Sequence, residues 1–177
     1  MLTRRYSHAS DLTTDEILNI CLLKNQSWPH SIDSQISWWK KNTSDSDLIV
    51  TLVDGLSVVA FLRLRERKIS VDGNCMQAKC VTEVCVEKYM QRKGLGSELL
   101  EAAKNKIDES DLGIGFLLCS STEEPFYKAC RWVLLEAQIQ VESSSGTRRN
   151  LAINEKCMVQ SLQVPERAKV ILYGDVF

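Results

Sequence analysis

The stretch that decides the fold is Lys79–Ile107, with the sequence KCVTEVCVEKYMQRKGLGSELLEAAKNKI. It opens with an apolar, β-prone run that ends at Val86, and such a run predicts a buried strand. A short basic loop that contains Gly94 and Gly96 follows. Beyond the loop, apolar residues recur every three or four positions, which predicts an amphipathic helix. The apolar stripe of this helix consists of Leu95, Leu99, Leu100, Ala103 and Ile107.

The loop has the chemistry of an anion-binding site. The first N–H groups of a helix have no intrahelical partner, and the helix dipole adds partial positive charge beside them. Gly94 and Gly96 have no Cβ that would hold a phosphate away, and Arg92 and Lys93 add positive charge. A pyrophosphate fits such a loop. The alternative is a strand-to-helix turn whose glycines serve only the backbone geometry.

Motif spacing narrows this choice. The loop matches neither the P-loop pattern nor the G-x-G-x-x-G dinucleotide fingerprint, because the third small residue is missing. Gln91–Gly96 instead fits [QR]-x-x-G-x-[GA], which resembles the coenzyme A pyrophosphate loop of the GCN5-related N-acetyltransferase (GNAT) superfamily. Phe126–Trp132, FYKACRW, resembles the F-Y-x-x-x-G-F segment of that family, with Arg131 where glycine is usual.

The resemblance implies an acetyl-CoA-dependent N-acetyltransferase and assigns its cofactor contacts. In the family, a bulge in the central strand leaves backbone N–H groups free for the acetyl carbonyl and the pantetheine amides, and the glycine loop holds the pyrophosphate. The matching residues, which we expect to bind the cofactor, are Val84, Cys85, Val86, Gln91, Arg92, Lys93, Gly94, Leu95, Gly96 and Ser97.

Two residues are candidates for catalysis. Tyr127 matches the family tyrosine near the coenzyme sulfur, and a phenol with a pKa of about 10 can protonate the departing thiolate at pH 7. The alternative is an aromatic side chain that packs under the cofactor helix. Glu83 is the candidate for a base or a substrate contact, since a carboxylate in an apolar strand is costly unless it faces a cleft. The alternative for Glu83 is a cleft or edge carboxylate without a role in the reaction.

A narrower resemblance concerns the substrate. Leu12-Thr13 before an acidic helix start, the FYKACRW segment and the C-terminal GDVF are similar to features of the aminoglycoside 2′-N-acetyltransferases. By that resemblance Asp175 and the terminal carboxylate of Phe177 face a cationic substrate, and Thr82 lies where a glutamate of that group falls. The predicted substrate-binding residues are therefore Asp175, Phe177 and Thr82. A frayed chain end is the alternative for the tail.

Length and composition predict one domain over residues 1–177 and exclude several classes. The 22 basic and 23 acidic residues are balanced, which argues against a nucleic-acid partner. No apolar run approaches the roughly 20 residues of a membrane span, and the N-terminus lacks the apolar core of a signal peptide. The seven cysteines are scattered without a C-x-x-C pair and only two histidines are present, so we expect no metal site. The same scatter predicts reduced thiols and therefore a cytoplasmic location.

Outside the central stretch, the pattern predicts a mixed, mostly antiparallel sheet flanked by helices, an α+β fold. Thr13 and Glu16 fit a capping box for a helix with the apolar stripe Ile17, Leu18, Cys21 and Leu22. A second helix, about Asp33–Lys41, carries the pair Trp38-Trp39, of which only one can face the core. Thr122 is the predicted N-cap of a short helix with Pro125 in its first turn.

The predicted strands include one whose arginines alternate with other residues. Arg63, Arg65 and Arg67 share one face of that strand, and a solvated sheet face is the favoured interpretation. Around the central stretch, the predicted strands are Leu48–Val53, Leu56–Arg67, Cys75–Val86, Gly113–Cys119, Val133–Val141, Cys157–Leu162 and Val170–Tyr173.

The functional hypothesis is acetyl transfer to a small-molecule amine by direct attack in a ternary complex. An acyl-enzyme on Cys85 is disfavoured because no histidine lies near it in the sequence. Two alternatives stay open: a coenzyme-A-binding sensor or partner module with little turnover, and a peptide or protein N-acetyltransferase. The sequence allows a homodimer but does not decide the oligomeric state.

Overall fold

The computed structural model describes residues 1–111, 113–165 and 167–175. Within these ranges, four α-helices flank a mixed, mostly antiparallel sheet of ten strands, which is the predicted α+β fold. The helices are α1 (Thr14–Ser27), α2 (Ile32–Asn42), α3 (Leu95–Asp108) and α4 (Glu124–Ala129). The strands are β1 (Leu2–His8), β2 (Leu48–Asp54), β3 (Ser57–Val71), β4 (Asn74–Val86), β5 (Gly115–Ser120), β6 (Val133–Leu134), β7 (Gln138–Glu142), β8 (Arg148–Asn150), β9 (Glu155–Gln160) and β10 (Lys169–Tyr173).

The chain divides into two compact units. The first consists of Met1–Arg65 and Glu83–Ala103, and the second of Glu66–Thr82 and the described residues from Lys104 onward. Strands β3 and β4 and helix α3 therefore contribute residues to both units. In the described ranges, no helix is long and apolar enough to cross a membrane.

In the first unit, β1, β2 and the first part of β3 form an antiparallel meander that α1 and α2 accompany. Leu2 pairs with Asp54, and Leu48 pairs with Leu64, at the ends of the two ladders. Its core comprises Ile20, Cys21 and Leu23 of α1, Trp39 of α2, Ile49 of β2, Phe61 of β3 and Cys85 of β4. Only Trp39 of the tryptophan pair lies in this core, as predicted.

Helix α1 confirms its predicted start but corrects its predicted stripe. The Thr13 hydroxyl accepts from the Glu16 N–H, and the Glu16 carboxylate accepts from the Thr13 N–H, so the capping box is present. Leu22, assigned to the apolar stripe, is 50% exposed, and Leu18 is exposed as well. The inward face is centred on Ile20, Cys21, Leu23 and Lys24. The prediction was wrong at Leu18 and Leu22 because it followed apolar residues only, whereas the buried face includes Lys24.

The second unit is built on β4, β5 and β9. Strand β5 runs parallel to β4 where Lys79 pairs with Gly115, and it is antiparallel to β9 over Gly115–Ser120. Strand β10 is parallel to β7 and antiparallel to the end of β3. The core of this unit comprises Ile69, Ala78, Cys80, Ile114, Phe116, Leu135, Val141, Cys157, Val159, Val170 and Leu172.

Two predictions in this unit were wrong in detail. The single strand predicted over Val133–Val141 is two strands: β6 pairs with β9, whereas β7 pairs with β10 and β8. The change of partner requires the break between Leu134 and Gln138. Helix α4 begins one residue later than predicted, with Glu123 rather than Thr122 at the N-cap, and Pro125 lies in its first turn as expected.

Candidate active site

The glycine loop of the first unit joins the end of β4 to α3 through left-handed backbone turns. Arg92 has φ +61° and Gly94 has φ +89°. The side-chain amide of Gln91 donates a 3.2 Å hydrogen bond to the carbonyl of Val86, which folds the loop back on the strand end. The Glu98 N–H donates to the Gly94 carbonyl at 3.0 Å and begins the intrahelical ladder of α3. The helix N–H groups before Glu98 therefore lie outside that ladder.

Loop chemistry and loop geometry fit a pyrophosphate. Arg92 and Lys93 are exposed, and neither forms an ion pair with a residue in the described ranges. A Cβ placed on Gly94 would meet nothing within 4 Å, so this glycine is required by its positive φ and leaves open space beside the helix start. The N-terminal end of the α3 dipole and two cations that form no ion pair with a described residue thus lie beside that space.

Helix α3 is held rigidly behind the loop by its apolar stripe. Leu95, the first helical residue, is 5% exposed, and the later members of the stripe are buried completely or nearly so. Every residue of the predicted stripe is confirmed as buried, namely Leu95, Leu99, Leu100, Ala103 and Ile107. The loop is therefore anchored at its first helical turn, while the residues before Leu95 stay exposed.

Strand β4 is kinked just before this loop. Glu83 has φ +55°, a left-handed conformation that costs a residue with a Cβ about 1–2 kcal/mol. A left-handed residue inside a strand is the backbone geometry of a β-bulge. Beyond the kink, Val84 and Val86 are half-buried, and Cys85 points into the core of the first unit. Burial raises the pKa of the Cys85 thiol to about 12.

The side chain of Glu83 lies in a buried ion-pair network. Its carboxylate pairs with the Lys24 ammonium, and its Oε2 lies 3.3 Å from Nη2 of Arg63. The exposed fractions of these three side chains are 7%, 4% and 0%. The predicted solvated face of β3 is therefore wrong at Arg63, because its charge is neutralised in the interior.

The cations of this network are further held by neighbours in the first unit. Arg63 donates to the Asn42 carbonyl at 3.0 Å and to the Thr43 hydroxyl at 3.1 Å, and it lies 3.7 Å from Asp47. The Trp38 ring covers the Lys24 ammonium, which is 3.7 Å from the ring centroid. Trp38 is thus the tryptophan that covers charge while Trp39 fills the core.

Lys24 and Trp38 are functional candidates that the sequence analysis missed, although one signal was available. Lys24 is three residues after Cys21 and four after Ile20, so helical spacing puts it on the buried face of α1. A lysine at such a position requires an acidic partner. Glu83 was the carboxylate in an apolar strand that could supply it.

In the second unit, Tyr127 lies on α4 and is 7% exposed. Its ring contacts Phe126 edge-on, with centroids 5.1 Å apart. The chain after α4 turns at Arg131, which has φ +65°, and the Trp132 N–H then donates to the Tyr127 carbonyl at 3.0 Å. The left-handed turn explains why glycine is usual at this place in the F-Y-x-x-x-G-F segment.

Of the predicted substrate residues, Asp175 and Thr82 lie in the second unit, and their neighbours differ. Asp175 accepts hydrogen bonds from the Ser144 N–H at 3.2 Å and the Ser144 hydroxyl at 2.7 Å, which lower the pKa of its carboxyl. Arg67 donates to the Asp175 carbonyl at 2.9 Å. Thr82 is half-buried in β4. Phe177 lies outside the described residues.

A separate cavity of about 520 Å³ in the second unit contains none of the predicted site residues. Its walls come from β6–β9 and the connection between β6 and β7, and include Leu135, Ile139, Asn150 and Leu151. Among the described residues, no group of three or more His, Cys, Asp or Glu side chains could hold a metal ion.

Comparison with known families identifies this arrangement. A family model described as an acetyltransferase (GNAT) domain matches residues 8–134, which include the kink, the glycine loop and Tyr127. The chain belongs to the GNAT acetyltransferase family. It is therefore an acetyltransferase that uses acetyl-CoA as its acetyl donor. No curated protein is significantly similar to this GNAT enzyme in sequence.

Solved structures share the GNAT fold at low sequence identity. Escherichia coli ElaA is 10% identical, with a TM-score of 0.64 over 90% of this chain and 99% of that chain. An acyl-CoA N-acyltransferase from Pseudomonas aeruginosa is 16% identical, with the same TM-score and coverage. A glucosamine-6-phosphate N-acetyltransferase from Arabidopsis thaliana is 18% identical, with a TM-score of 0.54 over 74% of this chain and 90% of that chain.

Proposed function

We propose that this GNAT enzyme transfers the acetyl group of acetyl-CoA to a primary amine of a small molecule by direct attack in a ternary complex. The observation that carries the proposal is the left-handed, cationic glycine loop at the start of α3, anchored by buried Leu95. Such a loop gives a pyrophosphate N–H donors, a helix dipole and two cations within one turn of chain.

The residues proposed to hold acetyl-CoA form one continuous path along the chain. The strand end Val84–Val86 would contact the acyl and pantetheine portions through its backbone, and Gln91–Ser97 would hold the pyrophosphate. The Gln91 hydrogen bond to Val86 supports this path, because it ties the loop to the strand end. When bound, acetyl-CoA supplies an activated thioester, and the protein supplies position and charge.

Tyr127 is proposed as the general acid. During transfer, a bond forms between the amine nitrogen and the acetyl carbon while the bond from that carbon to sulfur breaks. Tyr127 donates its phenolic proton to the departing thiolate, which is then released as a thiol. The proton lost by the amine nitrogen passes to solvent water, and Tyr127 regains a proton from solvent. A nearly buried phenol suits this role because little water competes for the proton.

Glu83 is proposed to serve the reaction from the kink of β4. The sequence-based hypothesis gives it a catalytic or substrate-contacting role, with the loss of the amine proton as the step that needs a base. In the structure its carboxylate pairs with Lys24 and Arg63, which keep its negative charge in a nearly dry environment. These partners favour a role in organising the strand over proton transfer.

Direct attack is favoured over a covalent acyl-enzyme. The nucleophile of an acyl-enzyme would have to be a thiolate. With a pKa raised to about 12 by burial, Cys85 is protonated at neutral pH. Its side chain also packs among the apolar residues of the first unit.

The acceptor is proposed to be a cationic small molecule such as an aminoglycoside-like polyamine. Support comes from Asp175: hydrogen bonds from Ser144 hold its carboxylate in place and lower its pKa, and a negative group suits a cationic substrate. Phe177 is proposed as a second substrate contact. Thr82 is proposed as a further substrate contact. A peptide or protein amine is the second candidate acceptor. A cytoplasmic location and a homodimer stay predictions.

The proposal is tested by measuring release of free coenzyme A from acetyl-CoA across a panel of acceptors. The panel contains aminoglycosides, linear polyamines, monoamines and short peptides with free N-termini. We expect amine-dependent release with polyamines and acetylated product by mass spectrometry. Binding of acetyl-CoA without release on any acceptor would contradict the enzymatic proposal and favour a coenzyme-A-binding sensor.

A further inference from the structure

The buried ion-pair network of the first unit is not required by the acetyl-transfer chemistry alone. It brings together Lys24 of α1, Trp38 of α2, Arg63 of β3 and Glu83 of β4. Two cations from separate elements, Lys24 and Arg63, thus meet on the Glu83 carboxylate, and Trp38 covers the first of them. That carboxylate belongs to the residue with the left-handed backbone inside β4.

We infer that Lys24, Arg63 and Trp38 are positioning residues that lock Glu83, and with it the kink of β4, in the conformation that receives the acyl end of acetyl-CoA. This inference rests on the proposed function. It assigns to Glu83 a role exerted through the backbone rather than through proton transfer. Lys24 and Trp38 become functional residues although neither belongs to the loop or to the motif around Tyr127.

Backbone strain is the first step of the argument. A residue with a Cβ keeps a left-handed conformation only where its surroundings hold it there, and Glu83 has no helix or tight turn to do so. Two buried cations reach its carboxylate from different sides, one from α1 and one from β3. Reversing the kink would pull the carboxylate away from both and leave buried charges unpaired.

The second step is that hydrogen bonds and a ring contact hold the two cationic side chains in place. Arg63 is fixed by hydrogen bonds to the Asn42 carbonyl and the Thr43 hydroxyl, and Asp47 lies 3.7 Å away. Asp47 in turn accepts a 2.6 Å hydrogen bond from Nε of Arg65. The Trp38 ring, 3.7 Å from the Lys24 ammonium, covers it. A network that is fixed at each member transmits its geometry to the strand.

The third step links the kink to the ligand. A left-handed residue in a strand interrupts the ladder, so the N–H groups that follow can turn toward a bound molecule. Those groups belong to Val84–Val86, and Val86 is tied to the pyrophosphate loop by Gln91. The ion pairs of Glu83 with Lys24 and Arg63 therefore set the distance between the strand N–H groups and the loop, and all of these parts belong to the first unit.

A double-mutant cycle on acetyl-CoA affinity first tests whether Lys24 and Glu83 act together. Glu83→Gln keeps the side-chain shape but removes its charge, and Lys24→Met keeps the aliphatic stem under Trp38. We expect each to weaken acetyl-CoA binding by about 5-fold or more, and the double variant to be no weaker than either single variant. If the two substitutions weakened acetyl-CoA binding independently, so that their effects multiplied in the double variant, the inference would be overturned.

A rescue experiment then separates positioning from proton transfer. Glu83→Gly is compared with Glu83→Ala in the Lys24→Met background, which removes one of the two cations that pair with Glu83, while the other, Arg63, keeps Asp47 as an acidic neighbour. Glycine adopts a positive φ freely, whereas alanine does not. We expect the glycine variant to bind acetyl-CoA at least about 5-fold more tightly than the alanine variant and to have the higher kcat. Thermal melts and circular dichroism confirm that both variants are folded.

Affinity for 3′-phospho-ADP, the pyrophosphate-bearing part of coenzyme A, serves as the control. It contacts the loop but not the kinked strand, so both variants should bind it equally. Equal acetyl-CoA affinity of the glycine and alanine variants, with kcat lowered about 100-fold in both, would overturn the inference and make Glu83 a base. Failure of the wild-type protein to bind acetyl-CoA would instead overturn the proposed function.

Discussion

The hydroxyl of Ser144 donates a 2.7 Å hydrogen bond to the carboxylate of Asp175, and the Ser144 N–H donates a second at 3.2 Å. Arg67 adds a 2.9 Å hydrogen bond to the Asp175 carbonyl. The chain is therefore tied to the β7–β8 turn and to β3 at Asp175. A charge that is held in one place can orient a cationic substrate better than a charge on a loose tail.

The first prediction concerns this tail. Deleting residues 175–177 removes the Asp175 carboxylate and moves the chain-end carboxylate back to residue 174, and we expect KM for polyamines to rise about 10-fold or more, since a charge-assisted contact contributes on the order of 1–3 kcal/mol. Affinity for acetyl-CoA should be unchanged because the glycine loop is intact. The measurement is steady-state kinetics with tobramycin-like and monoamine acceptors side by side.

The control for the tail is Ser144→Ala, which frees Asp175 but keeps its charge. Because the Ser144 hydrogen bonds lower the pKa of Asp175, their stabilising effect is present at neutral pH and is lost only as the pH falls through that lowered value. Loss of the hydroxyl should raise the Asp175 titration midpoint in an NMR titration. Equal KM values for the truncated and full-length proteins on every acceptor would refute a substrate role for the tail.

Tyr127→Phe tests the general acid. Removal of the phenolic hydroxyl should lower kcat by about 100-fold, the usual contribution of one acid–base group, with little change in acetyl-CoA affinity. Phe126→Leu is the matched control, because it alters the edge-on ring contact with Tyr127 without removing a proton donor. Full turnover by Tyr127→Phe would reduce this residue to a packing role.

Cys85→Ala tests the absence of an acyl-enzyme. Its thiol is buried with a pKa raised to about 12, so we expect kcat to stay within a few-fold of wild type and the free energy of unfolding to fall by about 1–2 kcal/mol from lost packing. Iodoacetamide should label exposed Cys75 well before Cys85. An acetylated Cys85 peptide trapped during turnover would contradict direct attack.

Local patterns predicted much of this fold. The capping box at Thr13 and the buried stripe of α3 depend on neighbours three or four residues away, so the sequence contains all the required information. The glycine loop could be located for the same reason, since a strand, a loop and a helix follow one another directly along the chain. Its left-handed turns at Arg92 and Gly94 agree with that interpretation.

Features that depend on distant partners could not be predicted. Lys24, Arg63 and Glu83 lie on three different elements, and although the spacing of Lys24 and the apolar neighbours of Glu83 indicate buried positions, neither signal identifies the partner. Their burial is acceptable only because they meet one another, which the chain order does not reveal. The division of Val133–Val141 into β6 and β7 likewise depends on which strands, β9 or β10, lie beside each half.

Arg131→Gly tests the strain after α4. Arg131 is exposed and left-handed, with φ +65°, so glycine should relieve strain without loss of packing. We expect a gain in the free energy of unfolding of about 0.5–1 kcal/mol after the greater unfolded-state entropy of glycine is subtracted. Arg131→Ala keeps a Cβ and should change little. A melt in which the glycine variant is no more stable than the alanine variant would disprove the strain.

The most direct test of the account is calorimetric titration of acetyl-CoA into the wild-type protein and Gly96→Glu. The substitution puts bulk and negative charge at the start of α3, where the pyrophosphate is proposed to bind, while buried Leu95 and Leu99 still anchor the helix. We expect saturable binding by wild type and no detectable binding by the variant, with circular dichroism and thermal melts showing that the variant is folded. Unchanged affinity in Gly96→Glu, or no binding by wild type, would contradict acetyl-CoA recognition by this loop.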